Sequence, residues 1–252
     1  MRCVRVICAI WTAAGTLACG INAAWADPVA DADNWSTGAS GAAPEKFLYF
    51  NGFDLWRSGG TGYGGLLWSP GGLNNDGFTL KALLAGGSYL YQSGINDITG
   101  RYLLGSVMPG WRFKRGDLEV KMFAGLDLQH HETSPDDPGN RLRGDHAGAR
   151  FNAEIWWEPI PAQMMVSGSF SGSTIGDNFG VRAATGWRLL NRFWAGPEVE
   201  ASGDEVYRQY RIGAHLTSLR LGDFEWTVGA GYVEDNSHHS GLYGRIGVLT
   251  RQ

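Results

Sequence analysis

The chain has 252 residues, with 21 Lys and Arg against 25 Asp and Glu, 38 glycines and three cysteines. A net charge of −4 argues against a nucleic acid as partner, because neutralising phosphates needs a basic surface. Glycine stands at about twice its ordinary share without a Gly-X-Y period, which excludes collagen, and no hydrophobic run after residue 26 is long enough for a transmembrane helix.

Residues 1–26 read as a secretion signal. Arg2 and Arg5 form a basic start, Val6 to Ala18 a short apolar run, and Ala24-Trp25-Ala26 a small-x-small cleavage site before Asp27. Cys3, Cys8 and Cys19 all fall inside it, so a mature chain would hold no disulfide, no thiolate nucleophile and no Cys metal site. Loss of Arg2 and Arg5 lowers the basic count from 21 to 19 against 25 acidic residues, a net charge of −6. Residues 27–45 are rich in Ala, Asp, Gly and Ser, have no periodicity, and read as a flexible lead-in.

From there the chain predicts twelve strands: 46–56, 62–69, 78–91, 101–113, 118–129, 146–158, 162–171, 178–189, 193–202, 207–217, 224–233 and 241–250. The clearest is 118–129. Leu118, Val120, Met122, Ala124, Leu126 and Leu128 line one face, while Glu119, Lys121, Gly125, Asp127 and Gln129 line the other with Phe123. Residues 146–158, 178–189 and 224–233 repeat the pattern. The connections 114–117, 158–161 and 190–192 are short turns. Those at 92–100, 130–145, 172–177 and 234–240 are polar loops on the opposite side, the asymmetry of outer-membrane barrels. The stretch 69–77 is a long connection on the short-turn side. Pro70-Gly71 and Asp76-Gly77 bracket it as turn formers, which suggests a rigid loop able to dock a partner.

Alternation alone does not say which face points inward. The polar face is rich in glycine, as a narrow lumen requires, and Trp68, Trp157, Trp187, Phe224, Trp226 and Tyr232 cluster near strand ends on the apolar face. Turning the polar face to lipid would put Arg150, Arg182 or Arg188 in hydrocarbon at roughly 2–4 kcal/mol each. The predicted fold class is therefore all-β: a single antiparallel transmembrane β-barrel of about 12 strands over residues 46–252, with outer-membrane lipid as its surroundings.

Glu119, Lys121, Asp127, Arg150, Glu154, Arg182, Arg188, Arg211, Glu225 and Arg245 are the candidate lumen-lining charges. Lys81, Arg101, Glu158, Glu198 and Glu200 are assigned to the same face. Both signs are interleaved, which fits either cross-strand pairing that fills the interior or a channel for a neutral solute. Tyr89, Tyr91, Trp156, Trp194 and Tyr243, with Phe123, are aromatics on that face. The first five are candidates for stacking on a neutral glycan.

Two histidine pairs, His130-His131 and His238-His239, have acidic neighbours and could meet as a metal site, although solvated loops collect the same residues. His146 and His215 with Ser167, Ser169 and Ser171 carry no legible Ser–His–acid spacing. No catalytic residue, cofactor or metal site is therefore assigned.

Several segments resemble the family of cellulose biosynthesis protein BcsS. They are Phe50-Asn-Gly-Phe-Asp-Leu-Trp-Arg57, Gly64-Gly-Leu-Leu-Trp-Ser-Pro-Gly-Gly-Leu73 with Gly77-Phe-Thr-Leu-Lys81, Gly86-Gly-Ser-Tyr-Leu-Tyr91 and Tyr207-Arg-Gln-Tyr-Arg-Ile-Gly213. The resemblance is strongest over residues 50–91. It implies a secreted, non-catalytic accessory factor in bacterial cellulose production, with cellulose and other cellulose-synthesis components as partners and no catalytic residue to carry over. A small-solute porin and a lipid- or glycan-modifying barrel enzyme are the alternatives.

Overall fold

The computed structural model describes residues 44–252; the secretion signal and nearly all of the lead-in lie outside the described residues. Twelve antiparallel strands follow one another: β1 (Phe47–Trp56), β2 (Gly59–Trp68), β3 (Gly77–Ser93), β4 (Asn96–Arg115), β5 (Leu118–Ser134) and β6 (Gly144–Ile160). They continue as β7 (Met164–Ser173), β8 (Phe179–Leu189), β9 (Phe193–Gly203), β10 (Arg208–Leu221), β11 (Phe224–Asp235) and β12 (Ser240–Arg251). Each pairs with its sequence neighbours, and β1 closes on β12 from Leu48↔Arg251 to Trp56↔Tyr243. Closure leaves no sheet edge around the ring, the condition a strand-built membrane protein must meet.

Period two sets the two faces of this wall. On β1, Leu48, Phe50, Gly52, Asp54 and Trp56 point inward and are buried. Phe47, Tyr49, Phe53 and Leu55 point outward and are exposed. On β5 the inward row is Glu119, Lys121, Phe123, Gly125, Asp127, Gln129 and His131, and the outward row includes Met122, Leu126 (70 % exposed) and Leu128. Outward-facing apolar residues around the ring form a belt that water would not tolerate and hydrocarbon would. Phe47, Tyr49, Trp68, Phe78, Trp111, Phe113, Trp157, Trp187, Phe224 and Trp226 gird it at the end where the described chain begins and ends, here the terminal rim. Tyr210 and Tyr232 lie toward the opposite, far rim.

The structure corrects two connections and one facing. Polar residues 92–100 and 130–145 are expected as loops, yet β3 and β4 run on to a tight turn at Gly94-Ile95, where Gly94 supplies φ +63°. Only residues 135–143 remain as loop between β5 and β6, because cross-strand hydrogen bonding overrides polar composition. The strands β3 to β6 therefore stand 17 to 20 residues tall, against 10 to 14 elsewhere. Arg101, assigned to the lumen, points outward opposite Glu132 and is exposed. On β4 both faces are apolar, Leu104 and Met108 inward and Leu103 and Val107 outward, so alternation there carries no directional signal.

Candidate functional site

Among the described residues the lumen gathers the buried charged side chains of this chain, and it is packed with them. Two ion-pair networks cross it. On the β3–β6 side, Lys81 Nζ lies 2.5 Å from Glu154 Oε1 and 3.1 Å from Asn152 Oδ1. Lys121 Nζ is 2.7 Å from Glu154 Oε2 and 3.8 Å from Glu119 Oε1, which also takes Arg112 Nε at 3.5 Å. The Lys81 ammonium sits over the Phe123 and Phe50 rings at 5.2 and 5.8 Å, so its apolar surroundings still offer negative π-faces.

The second network runs from β8 through β9, β10 and β12 to β1. Glu198 Oε2 receives Arg182 Nη2 and Arg245 Nη2, each at 2.6 Å, and Glu198 Oε1 accepts the Tyr243 hydroxyl at 2.6 Å. Arg245 Nη1 continues to Glu200 at 3.2 Å, and Arg211 Nη1 joins Glu200 at 3.6 Å to Asp54 at 2.5 Å. Three guanidinium groups thus face three carboxylates. Between the networks Asp127 Oδ2 accepts from Arg150 Nη2 at 3.0 Å, Gln129 at 2.7 Å and Ser173 at 2.5 Å. Such charges persist away from water only when paired and hydrogen-bonded.

Aromatic and apolar clusters lie toward both ends. Toward the far rim, Trp56, Tyr89, Tyr91, Tyr207 and Tyr243 pack with Ile98 and Val233. Trp56 Nε1 donates to the Tyr207 hydroxyl at 3.0 Å, and the 135–143 loop folds over the mouth, where Tyr91 donates to Asp137 and receives Asn140 Nδ2, both at 2.9 Å. Gly100 makes room for the stacked rings: a Cβ there would stand 2.6 Å from Tyr89 Cζ. Toward the terminal rim, the 69–76 connection turns its Leu73 into a cluster with Leu48, Phe50, Leu67, Met108, Phe123 and Leu249. Leu73 N is tied to Glu45 O at 2.8 Å, and Ser69 N to Lys46 O at 2.9 Å. Asp76 bonds the Lys114 amide and the Arg115 guanidinium, which holds its carboxyl below the usual range. On the opposite wall Trp156 and Trp194 meet edge to face at 6.4 Å over Met165.

The residues singled out from the sequence fall as follows. Glu158 is half-buried and accepts Trp156 Nε1 at 3.3 Å and the Ala162 amide at 3.2 Å at the β6–β7 turn, and Ser167, Ser169 and Ser171 are buried on the inward row of β7. Glu119, Lys121, Asp127, Arg150, Glu154, Arg182, Arg211, Glu225 and Arg245 are buried and inward-facing. Arg188 is half-buried with its guanidinium over the Trp194 ring at 5.3 Å, and Glu225 meets Arg220 at 3.7 Å near the terminal rim. Tyr89, Tyr91 and Tyr243 belong to the far cluster, while Trp156 and Trp194 belong to the terminal one. The five rings therefore form two separate packed groups, not a continuous ladder, and none has more than 4 % of its surface free. Of the histidines, His130 bonds Asp145, His131 turns inward to Gln129, and His239 lies beside Asp235. The two pairs stand on opposite walls, at β5 and at the β11–β12 turn, and no group of three metal-ligating side chains converges among the described residues. His146 bonds the Leu142 carbonyl, and His215 bonds Thr217 and the Thr185 carbonyl.

Sequence reasoning missed Asp54, Arg112, Trp56, Tyr102, Tyr207 and Leu73. Asp54 was within reach, since it alternates with the outward Phe53 and Leu55. Leu73 sits in a connection, where alternation says nothing about direction; Tyr207, expected as the first residue of a strand and on the face of Arg211, stands in the connection before β10.

One acid at the far mouth titrates unusually. Asp204, between β9 and β10, accepts the Val206 and Tyr207 amides at 2.6 Å, but burial outweighs these bonds and pushes its carboxyl up to about 7. A folded-state value above the unfolded one means stability that is present below the ordinary carboxylate range and is lost as pH rises through about 7. The part of the stability that Asp204 supplies, read as the difference between the wild type and Asp204→Asn in urea unfolding in detergent micelles, is expected to fall by on the order of 4 kcal/mol between pH 4 and 8. Asp204→Asn, which keeps the acceptor oxygen, should flatten that part of the profile.

The fold and its lumen can be set beside known proteins. Among solved structures, similar folds include the KdgM porin (10 % identity, 81 % of this chain and 98 % of that chain covered, TM-score 0.46). LpxR from Salmonella typhimurium is similar at 10 % identity, with 81 % and 99 % covered and TM-score 0.46. The translocator domain of autotransporter NalP from Neisseria meningitidis follows at 14 % identity, with 82 % and 88 % covered and TM-score 0.46. No curated protein matches the sequence. A family model for cellulose biosynthesis protein BcsS matches residues 48–252, all of the barrel from its first strand, and the chain belongs to that family.

Proposed function

We propose that this protein is a non-catalytic outer-membrane accessory of bacterial cellulose production, and that it works as a closed scaffold and not as a conduit. The apolar belt with its aromatic girdle supports placement in a bilayer, and closure of the barrel supports the outer membrane. In that placement the terminal rim, with its short turns, faces the periplasm and the 135–143 loop faces outside.

The observation that carries the closed reading is the burial of the lumenal charges. Lys81 and Asp127 have 0 % of their surface free, Glu154 1 % and Glu198 2 %. Side chains lining a hydrated pore would keep contact with its water, whereas these spend their hydrogen bonds on one another. The exposed crest of the 69–76 connection, Pro70, Gly71 and Asn74, is then the surface offered to other cellulose-synthesis components in the periplasm.

Planar-bilayer recording tests the reading. The purified barrel is expected to insert without stepwise ion conductance; regular open-channel steps would sink the scaffold and establish a porin. Cellulose output in a strain carrying Asn74→Arg separates scaffold from bystander. Output should fall several-fold while the heat-modifiable gel shift of the folded barrel is kept, and unchanged output would remove the crest from the mechanism.

A further inference from the structure

Asn51 stands on the outside of the barrel. It belongs to the exposed row of β1 with Tyr49, Phe53 and Leu55, between Phe47 in the girdle and Arg57 past the far end. Four residues above Phe47, at about 3.3 Å each along a tilted strand, put it near the middle of the apolar belt. Its carboxamide makes no hydrogen bond among the described residues. The outward positions beside it are Gly64 on β2 and Val248 on β12, neither with a polar side chain. Thr185, also outward, on β8, is in a different position, because its hydroxyl donates to the Met165 carbonyl at 3.0 Å.

Acyl chains carry no donor or acceptor. Ester and headgroup oxygens lie at the margins of the belt, beyond the reach of so short a side chain. An amide at this depth therefore calls for a protein partner that lies in the bilayer with it.

The surroundings leave room for one. Gly64 is not among the glycines with positive φ, and a Cβ there would meet nothing nearer than 3.7 Å, one of the two atoms at that distance being Asn51 Cβ. A side chain at this position would fit the wall and stand over the amide; glycine leaves the amide open. Gly244 on β12, opposite Leu55, likewise has nothing within 4 Å of a Cβ. Around this low ground rise Phe53, 61 % exposed, and Leu84, 59 % exposed and paired with Gly64 from β3. Glycine beside a polar side chain is how two membrane-embedded surfaces approach closely and bond.

The geometry points to a second copy of this chain as the partner. Two barrels meet through their β1–β2 faces about a two-fold axis along the membrane normal, and each Asn51 carboxamide donates to and accepts from the other. A carboxamide is its own complement, with donor and acceptor side by side, so one residue on a two-fold axis satisfies both copies. A different chain would have to bring a matching polar group of its own to the same depth. The interface rests on the membrane placement proposed above, and goes beyond it in naming what lies against the wall.

Sedimentation equilibrium of the full barrel in density-matched detergent micelles is the test. The wild type is expected to sediment as a dimer. Asn51→Leu, which suits lipid, and Gly64→Phe, which covers the amide, should each raise the dimer dissociation constant about tenfold. Asn51→Gln keeps the carboxamide and should lose less than about threefold. Ala183→Phe, on the outward row of β8 across the barrel, should change nothing. Heat-modifiable migration certifies each variant as folded, and either Asn51→Leu or Gly64→Phe that passes suffices. A monomeric wild type, or a dimer that the folded variants at Asn51 and Gly64 leave as tight as before, overturns the interface. A barrel that stays in solution without detergent would instead overturn the membrane placement.

Discussion

Glu198→Leu is expected to destabilise the barrel by about 3–5 kcal/mol, read as a lowered urea midpoint in detergent, while leaving the strand content intact. Glu198 holds two guanidinium groups and the Tyr243 hydroxyl within 2.6 Å, in a place where it is only 2 % exposed. Leucine fills similar volume but answers none of them. Arg245 keeps Glu200 at 3.2 Å, and Arg182 loses its 2.6 Å carboxylate partner. The cause is testable separately from the size. Adding Arg182→Leu to Glu198→Leu removes a guanidinium that has lost this carboxylate and should recover part of the stability, with a coupling of about 0.5–3 kcal/mol in a double-mutant cycle. Additive losses would mean that the two side chains act independently and that the network is only a contact list.

Leu73→Asp is the second large change expected. Leu73 is 2 % exposed and enters the lumen from a connection, between Leu48, Phe50, Leu67 and Leu249. Truncating a buried leucine costs about 2–5 kcal/mol, and a carboxylate adds the penalty of an unpaired buried charge. The measurable result is a loss of at least that size in urea unfolding, together with faster proteolysis of residues 69–76 in the folded barrel. A loss within about 0.5 kcal/mol, the range of an ordinary surface change, would show that the connection merely rests on the rim. The contrast with Asn74→Arg is informative. Asn74 is exposed on the same connection, so its substitution should spare stability and affect only whatever docks there.

Legibility of the fold differed from strand to strand for a physical reason. Where one face is polar, as on β5 and β8, alternation names the inward row, because a one-residue slip would put Lys121 or Arg182 into lipid. On β4 both faces are apolar, a slip costs little on paper, and Arg101 was assigned inward although it stands outside opposite Glu132. The polar stretches 92–100 and 130–145 were expected as loops, since composition does not register that a neighbouring strand is long enough to pair with them.

The candidate site divides in the same way. That Glu119, Lys121, Asp127, Glu154, Arg182 and Arg245 share a face was readable, and so was the balance of their signs. Which of them meet was not. Lys81 on β3 bonds Glu154 on β6, three strands away, and Arg211 on β10 bonds Asp54 on β1 across 157 residues. Tyr243 and Tyr89 share a face with Trp156, but Trp156 stands near the terminal-rim end of β6, whereas Tyr243 and Tyr89 stand near the far-rim ends of β12 and β3.

By itself the sequence determined a closed antiparallel barrel with an apolar exterior and a compensated polar interior, because period two is a local property that each strand carries alone. Tertiary structure alone decided which lumenal side chains meet and how deeply they are buried. Burial of a charge depends on side chains from four or five strands arriving at one point, and on connections such as 69–76 and 135–143 folding inward. Those are distances across the lumen, and no spacing along the chain encodes them.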